Sequence, residues 1–547
     1  MIHYICKYTP VELFAGFWEK CLLFKPAPQG LADADKLVHP NICSFSRALL
    51  QDSMQNGSTL VFTDCCDSMR RIYDIIKQHN GNAYWLNLPH KQDQCSKLLY
   101  KNQLLMLIKE YELKTGKNFD CDKFRSAFDT DDRNNATAYI SIMGARVSDE
   151  LLNNIADLSP LPVVNNTCTG IRKIGHPPQT DDLDELMIWY AGELLSQTAC
   201  MRMEDVFSRR VLTQDPNLKG IIYHTVKFCD YYGLEYADLK NKLHIPLVNI
   251  ETDWMQQNKG QIMTRLQAFF ETLCHKKLFI EEKKNVNITQ SDYTAGIDIG
   301  STTTNVVILK GGKKLVSALV IPTGTKGSSS AERAFYQAIE MAGISEQHIA
   351  NTVTTGYGRA NITFRGKDVT EITCHAKGAY FLDPAVRTVI DIGGQDSKVI
   401  RLTSSGEVKD FVMNDKCAAG TGRFLEMMAH SLGLDLAAMS TQGLKWGEEI
   451  TISSMCSVFA ESEVVSLLAD NKRIEDIIHG LNKSVASRIF SLIKRLGMQG
   501  RYMMTGGVAQ NAGVVKEIES MLGKKIIIPQ QPEICGALGA ALIAAGD

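Results

Sequence analysis

A chain of 547 residues with a net charge of −2 is long enough for roughly three or four domain-sized units, and its charge carries no general bias towards nucleic acid or an acidic membrane surface. The opening "MIHYICKYTPVEL" lacks the basic start and apolar run of a signal peptide, and no apolar stretch is long enough to span a bilayer. Fifteen cysteines without a secretion signal argue for reduced thiols or metal sites in a cytoplasmic protein, not for a disulfide framework.

From the N-terminus, "YICKYTPVELFAGF" predicts a short strand ending at Cys6 and then a helix, with Thr9 as N-cap, Pro10 at the first helical position and Glu12 closing a capping box. "TLVFTDCCDSMRRIYDII" predicts a strand running into Cys65, Cys66 and Asp67, then a helix. The short strand "AYWLNLP" and the long helix "SKLLYKNQLLMLIKEYEL" follow. The pattern recurs after a split near residue 150. "GIIYHTVKFCDYYGLE" runs into Cys229 and Asp230, followed by "PLVNIET" and "IMTRLQAFFETL". Two Rossmann/flavodoxin-like α/β subdomains are expected, with cysteines at the carboxyl ends of parallel strands, where such sheets gather their sites. The polar run "FIEEKKNVNITQSDY" marks a boundary, giving a first domain over 1–283, a linker over 284–293 and a second domain over 294–547. No CxxC occurs in the chain, which excludes the common zinc-finger, thioredoxin and local ferredoxin spacings. A metal site here must be assembled by tertiary or quaternary structure.

Beyond the boundary the sequence repeats itself. "DIGSTTTNVVIL" places Asp298 at the end of an apolar strand, before a turn of Gly300, Ser301, Thr302 and Thr303. "DIGGQDSKVIRL" places Asp391 before Gly393, Gly394, Gln395, Asp396 and Lys398. Glycines let backbone N–H groups approach phosphate oxygens, and hydroxyls add donors. Asp298 and Asp391 face such phosphates tolerably only with Mg²⁺ or its waters between. With Gln395 they are the candidate catalytic residues. "MTGGVAQN" adds Gly506, Gly507, Gln510 and Asn511 in a turn suited to a flat adenosine. No GxxxxGK[ST] is present, so the site is not of Walker type. Two further cysteines each precede a predicted helix: Cys417 in "NDKCAAGTGRFLEMM" and, 39 residues on, Cys456 in "SSMCSVFAESEVVSLL". Helix dipoles bias both towards thiolate.

The succession of two Asp turns and a Gly-Gly turn resembles the actin/hexokinase/sugar-kinase (ASKHA) ATPase superfamily, which implies a duplicated α/β domain with a nucleotide cleft. "GIDIGSTTT", "TGYGR", "EITCHAKGA", "DIGGQDSK", "NDKCAAGTGRFLE", "SSMCSVFAESEV", "TGGVAQN" and "CGALGAALIA" narrow this. Residues 294–547 resemble the activators of 2-hydroxyacyl-CoA dehydratases and the ATPase subunits of benzoyl-CoA reductases. The resemblance implies ATP, Mg²⁺ and one [4Fe–4S] cluster held by Cys417 and Cys456 across a homodimer. Independently, a [4Fe–4S] cluster takes four thiolates, so two per chain require two chains. A helix dipole worth about 0.3–2 kcal/mol tunes a one-electron couple by at most ~90 mV, so ATP-driven rearrangement has to supply the rest. One departure is Asn305, which stands where related chains often carry Lys; its loss of charge is expected to weaken nucleotide binding.

The first half, through "YICKYTPVEL", "NICSFSRALL", "TDCCDSMRR", "NNTCTGIR", "QTACMRME" and "VKFCDYYGLE", resembles the cluster-bearing component of the same dehydratases and the related double-cubane cluster proteins. The resemblance implies a [4Fe–4S] cluster on Cys43, Cys66 and Cys229, or, with Cys6, Cys168 and Cys200, a six-thiolate [8Fe–9S] pair; Cys65 beside Cys66 leaves the ligand open. Cys21, Cys95, Cys121, Cys274, Cys374 and Cys535 read as structural, and His375 as an interdomain hydrogen-bonding residue. Three functions remain in play. The chain is an iron–sulfur reductase fused to its own ATP-driven activator, fed by ferredoxin or flavodoxin and acting on a small or acyl-CoA substrate. Alternatively, the first half is a docking module for a separate dehydratase or reductase partner. The third is an ordinary sugar or acetate kinase, against which the paired helix-start cysteines stand.

Overall fold

The structure, a computed structural model, describes residues 2–79, 83–128, 138–204, 206–243, 245–254, 259–274, 292–324, 327–359, 366–414, 418–452 and 457–546. These form two compact units, Met1–Phe270 and Glu271–Asp547. Most of the predicted boundary run, 279–291, lies outside the described residues, as do Cys417 and Cys456.

The first unit holds two four-stranded parallel sheets. β1 (Ile2–Tyr4), β2 (Cys21–Leu23), β3 (Thr59–Thr63) and β4 (Ala83–Leu86) stand in the order β2-β1-β3-β4. β5 (Tyr139–Gly144), β6 (Val163–Thr167), β7 (Leu218–Val226) and β8 (Leu247–Thr252) stand in the order β6-β5-β7-β8. The repeated order shows that the unit is a duplicated topology. Apart from Lys219, every residue of β7 is buried, as expected of a parallel strand covered on both faces. Helices make the crossovers. Gln94–Thr115 starts on Asp93, whose carboxylate accepts from the Ser96 N–H, and stops at Gly116, at φ 69°.

The capping box expected at Thr9 does not form. Glu12–Phe17 is a 3₁₀-helix behind Val11, and the Thr9 hydroxyl is buried without a partner. Glu12 is held by Arg172 through two bonds of 2.8 and 2.9 Å and by the Tyr190 hydroxyl at 2.5 Å. A bidentate, charge-assisted pair outweighs a local bond to one backbone N–H.

The second unit repeats a different plan. β9 (Tyr293–Ile299), β10 (Thr303–Lys310), β11 (Lys314–Pro322), β12 (Ile349–Thr355) and β13 (Gly366–Asp368) are ordered β11-β10-β9-β12-β13. β14 (Val386–Ile392), β15 (Ser397–Leu402), β16 (Val408–Asn414), β17 (Arg501–Thr505) and β18 (Ile526–Ile527) are ordered β16-β15-β14-β17-β18. In both, the first three strands form an antiparallel meander and the last two pair in parallel. This is the duplicated actin/hexokinase-like fold. The helix Cys535–Ala544 lies against β9 and the helix Glu371–Leu382 so closely that a Cβ on Gly296 would come 2.0 Å from the Ala537 carbonyl oxygen, and one on Gly539 1.8 Å from that of Cys374. Cys374 and Cys535 are fully buried in this contact, in keeping with structural roles. No helix among the described residues is long and apolar enough to cross a membrane.

Candidate functional site

The two halves of the second unit build one cleft by the same device. Each first strand carries its aspartate one residue from the end, in register with the threonine that closes the fourth strand: Asp298 with Thr355, Asp391 with Thr505. Gly356 and Gly506 follow at φ 85° and 82°. A Cβ there would stand 2.7 Å from Asp298 Oδ1 and 2.9 Å from Asp391 Oδ1, so glycine is required by both backbone and space. Across each hairpin Asp298 faces Asn305, and Asp391 faces Lys398. Asn305 is thus the counterpart of Lys398, the one lysine lining the cleft among the described residues. Its amide donates to the Glu533 carbonyl at 3.0 Å, and its Oδ1 is buried without a partner.

The cleft has a volume of about 580 Å³. Gly300, Ser301, Thr302 and Thr303 of the first turn line it. Gly393, Gly394, Asp396 and Lys398 of the second, and Gly506, Gly507, Gln510 and Asn511 of the third, complete the lining with both aspartates. Gln395 is exposed and is not part of it.

Among the cleft residues that were not expected, two are titratable and lie beside the aspartates. Glu371 and His375 enter from the helix Glu371–Leu382. Lys398 Nζ lies 2.8 Å from Asp396, 3.3 Å from Glu371 and 3.4 Å from Asp391. Burial opposes the Lys398 charge, but these three acids raise its pKa well above the ordinary value. Burial pushes Glu371 up to about 8. It also raises Asp298, with His375 pulling the other way, whereas at Asp391 it is outweighed by His375, Lys398 and the Thr505 hydroxyl, which donates at 2.9 Å. The His375 ring spans the halves, with Nδ1 3.2 Å from Thr505 Oγ1 and Nε2 4.0 Å from Asp298 Oδ2. The paired Asp298 and Asp391 suit a divalent cation standing between them and the phosphates of a nucleotide. The donor set therefore fits Mg²⁺ with a nucleotide.

The first unit builds a site of the opposite kind. Cys6, Cys43, Cys66, Cys168, Cys200 and Cys229, with Cys65 as a seventh thiol, line a single cavity of about 110 Å³. Cys43 and Cys229 occupy the N-cap positions of Ser44–Asn56 and Asp230–Lys242, and Cys66 immediately precedes Asp67–His79. Backbone N–H groups of Phe45 and Ser46, of Ser68 and Met69, and of Tyr232 reach the three sulfurs. Phe228 adopts φ 65° directly before Cys229, backbone strain of about 1–3 kcal/mol at the turn that aims this thiol. Hydrogen bonding shared among Cys6, Cys65 and Cys66 lowers Cys6 to about 6, lowers Cys66 and raises Cys65, while burial pushes Cys168 up to about 12. No three His, Cys, Asp or Glu side chains among the described residues converge tightly enough for a single metal ion. A cubane presents its irons at separate corners, so its thiolates need to ring a space, as these do. The donor set fits an iron–sulfur group.

The helices expected behind Cys417 and Cys456 are present. A 3₁₀ turn at Ala418–Gly420 leads into Gly422–Ser431, and Ser457–Ala469 begins directly after Cys456.

Residues 295–544 match the BadF/BadG/BcrA/BcrD ATPase family. Residues 6–161 and 140–273 match the D-component of 2-hydroxyglutaryl-CoA dehydratase. The activator of lactoyl-CoA dehydratase from Anaerotignum propionicum is 51% identical over 252 residues, 46% of this chain and 97% of that protein. The 2-hydroxyisocaproyl-CoA dehydratase activator of Clostridioides difficile is 46% identical over 252 residues, 46% of this chain and 94% of that one. Component A of (R)-2-hydroxyglutaryl-CoA dehydratase from Acidaminococcus fermentans, a crystal structure, is 46% identical, covers 47% of this chain and 98% of its own, and has a TM-score of 0.46. Through its second unit the chain belongs to the BadF/BadG/BcrA/BcrD ATPase family, that of the dehydratase activators, joined here to a dehydratase D-component-like unit.

Proposed function

We propose that the chain couples ATP hydrolysis in its C-terminal domain to low-potential electron transfer into the cysteine-lined cavity of its N-terminal domain, where a small or acyl-CoA substrate is reduced. The observation that carries this is the cavity itself: seven cysteines from six separate stretches of sequence line one space in the same chain as the ATPase cleft. Asp298 and Asp391 hold Mg²⁺ and orient the phosphates, Lys398 neutralises the second turn, and Gly506, Gly507, Gln510 and Asn511 receive the adenosine. Gln395 is kept as a catalytic candidate for positioning water. Bound at these thiols, iron–sulfur groups supply one-electron transfer, with ferredoxin or flavodoxin as donor. The C-terminal group is shared by Cys417 and Cys456 of two chains. Supporting a homodimer, Ser457–Ala469 buries only Ala460 and Val464 and leaves Val458, Phe459 and Val465 63%, 67% and 56% exposed, an apolar face unusual in a finished surface.

A second reading has this chain activate a separate 2-hydroxyacyl-CoA dehydratase, with the N-terminal domain as a docking or relay module. It is favoured by the names of the relatives, which are activators of such enzymes. Iron and sulfide quantitation on anaerobically purified protein separates the two. Much more than about 4 Fe per dimer is expected, and ATP-dependent reduction at the N-terminal thiols should disappear in Cys456→Ser. Iron at the four-per-dimer level, with no N-terminal signal, would hand the case to the second reading.

A further inference from the structure

The six ligand cysteines of the N-terminal cavity divide by what faces them. Cys43, Cys66 and Cys229 each stand at the start of a 13-residue helix, with backbone N–H groups turned to the sulfur. None of Cys6, Cys168 and Cys200 immediately precedes a helix. Backbone N–H groups reach Cys6 from Tyr8 and Cys200 from Arg202, and this trio also meets two side-chain cations. The Lys7 ammonium, 2% exposed, is acted on by Cys200, Cys168 and Cys6. The Arg146 guanidinium, 5% exposed, lines the cavity and is acted on by Cys168 and Cys6, and by Tyr4 and Asp149.

Neither cation has a carboxylate within ion-pair reach among the described residues. Asp149 lies outside, paired with Lys25, and Arg209, the neighbouring cation that opposes Lys7, is already matched to Glu235. Arg146 donates from Nη2 to the Phe24 carbonyl and stacks 4.2 Å over the Phe45 ring, but its Nη1 is buried with no partner. The Lys7 ammonium stands 5.7 Å from the Tyr8 ring. Two buried cations without counter-ions beside three thiols are strongly unfavourable unless an anion completes the site.

We infer that Lys7 and Arg146 are the charge-balancing residues of an anionic metal–sulfur group held by Cys6, Cys168 and Cys200, serving this trio as helix ends serve the other. This rests on the reading that an iron–sulfur group occupies the cavity. The division also assigns all six cysteines as ligands, three per side, with Cys65 as the additional thiol between Cys6 and Cys66. A fixed positive charge favours the reduced, more negative form, so these residues set a midpoint potential without touching substrate.

The test uses the full chain, purified and reconstituted without oxygen, with iron content and a mediated redox titration followed by electron paramagnetic resonance. Lys7→Met and Arg146→Met should each lower one iron–sulfur midpoint at least tenfold in its reduction equilibrium, 59 mV for a one-electron couple. The other signals should stay put, and Lys7→Arg and Arg146→Lys should restore the shifted one. Met variants that keep their iron with every midpoint unmoved overturn the inference. If a Met variant loses iron, retention in its charge-preserving partner supports a charge role, and loss in both shows that shape alone matters and overturns it. A parent chain with no iron in the N-terminal domain refutes both this inference and the reading beneath it, a result distinct from unmoved midpoints in a loaded protein.

Discussion

Both sites draw their residues from strand ends, Cys6 and Cys229 with a helix downstream and Asp298 and Asp391 at hairpin turns, yet they carry opposite surpluses. Among the described residues, the cysteine cavity gathers thiols beside two cations with no carboxylate partner, Lys7 and Arg146, and the cleft gathers four carboxyls around Lys398. Each is unbalanced in the direction that suits the occupant proposed for it: an anionic cluster in one, a metal cation in the other. Buried charge left over in a fold is a statement about what is meant to bind there.

The largest effect that separates the units is expected in acid. His224 on β7 is fully buried, with Nδ1 donating to the Ala145 carbonyl at 3.1 Å and Nε2 accepting from Thr252 at 2.9 Å, and burial lowers its pKa to about 4. The unfolded chain takes up this proton near pH 6.5 and the folded one only near 4. Stability from this group is therefore fully present above 6.5 and is lost as pH falls towards 4, by about 3 kcal/mol. Denaturant titrations of the full chain at pH 7 and 4.5 should show the first transition weakening in the parent, and much less of that pH dependence in His224→Asn. An equal pH response in both proteins would mean that the ring is not held neutral.

Next in size is Asp391→Ala, which removes the carboxylate that Lys398, His375 and Thr505 jointly keep ionised. ATP turnover should fall roughly 10–100-fold or more with iron binding at the N-terminal thiols unchanged. Unaltered turnover would show that the acid surplus is not a metal site. The smallest effect tests the asymmetry of the two halves. Asn305→Lys would put a cation across from Asp298 as Lys398 stands across from Asp391, and should tighten ATP binding about tenfold by calorimetry, one charge-assisted bond in magnitude. Weaker binding would show that the side chain finds no room beside the Glu533 carbonyl.

Much of this architecture was legible in the sequence, because both duplications announce themselves by the same chemistry at the same strand ends: Cys65–Cys66 and Cys229 in one unit, Asp298 and Asp391 in the other. What was not legible depended on long-range burial. Thr9-x-x-Glu12 is a good local capping signature, but Arg172 and Tyr190, far along the chain, bind Glu12 more strongly. Nothing local shows that Lys7 turns inward beside Cys6, or that Glu371 closes on Lys398 from another element. The match of Gly356 to Gly506 was hidden because "TGYG" and "TGGV" share too few letters to align by eye.

If the proposed dimer forms on the helix Ser457–Ala469, whose Val458, Phe459 and Val465 are left in water, the protein's fate is tied to its own abundance. Mass action makes a chain that hides such a face only against its twin more stable the more of it there is. On that proposed dimer, dilution would uncover Val458, Phe459 and Val465, so scarcity of the protein would bring its own stickiness with it.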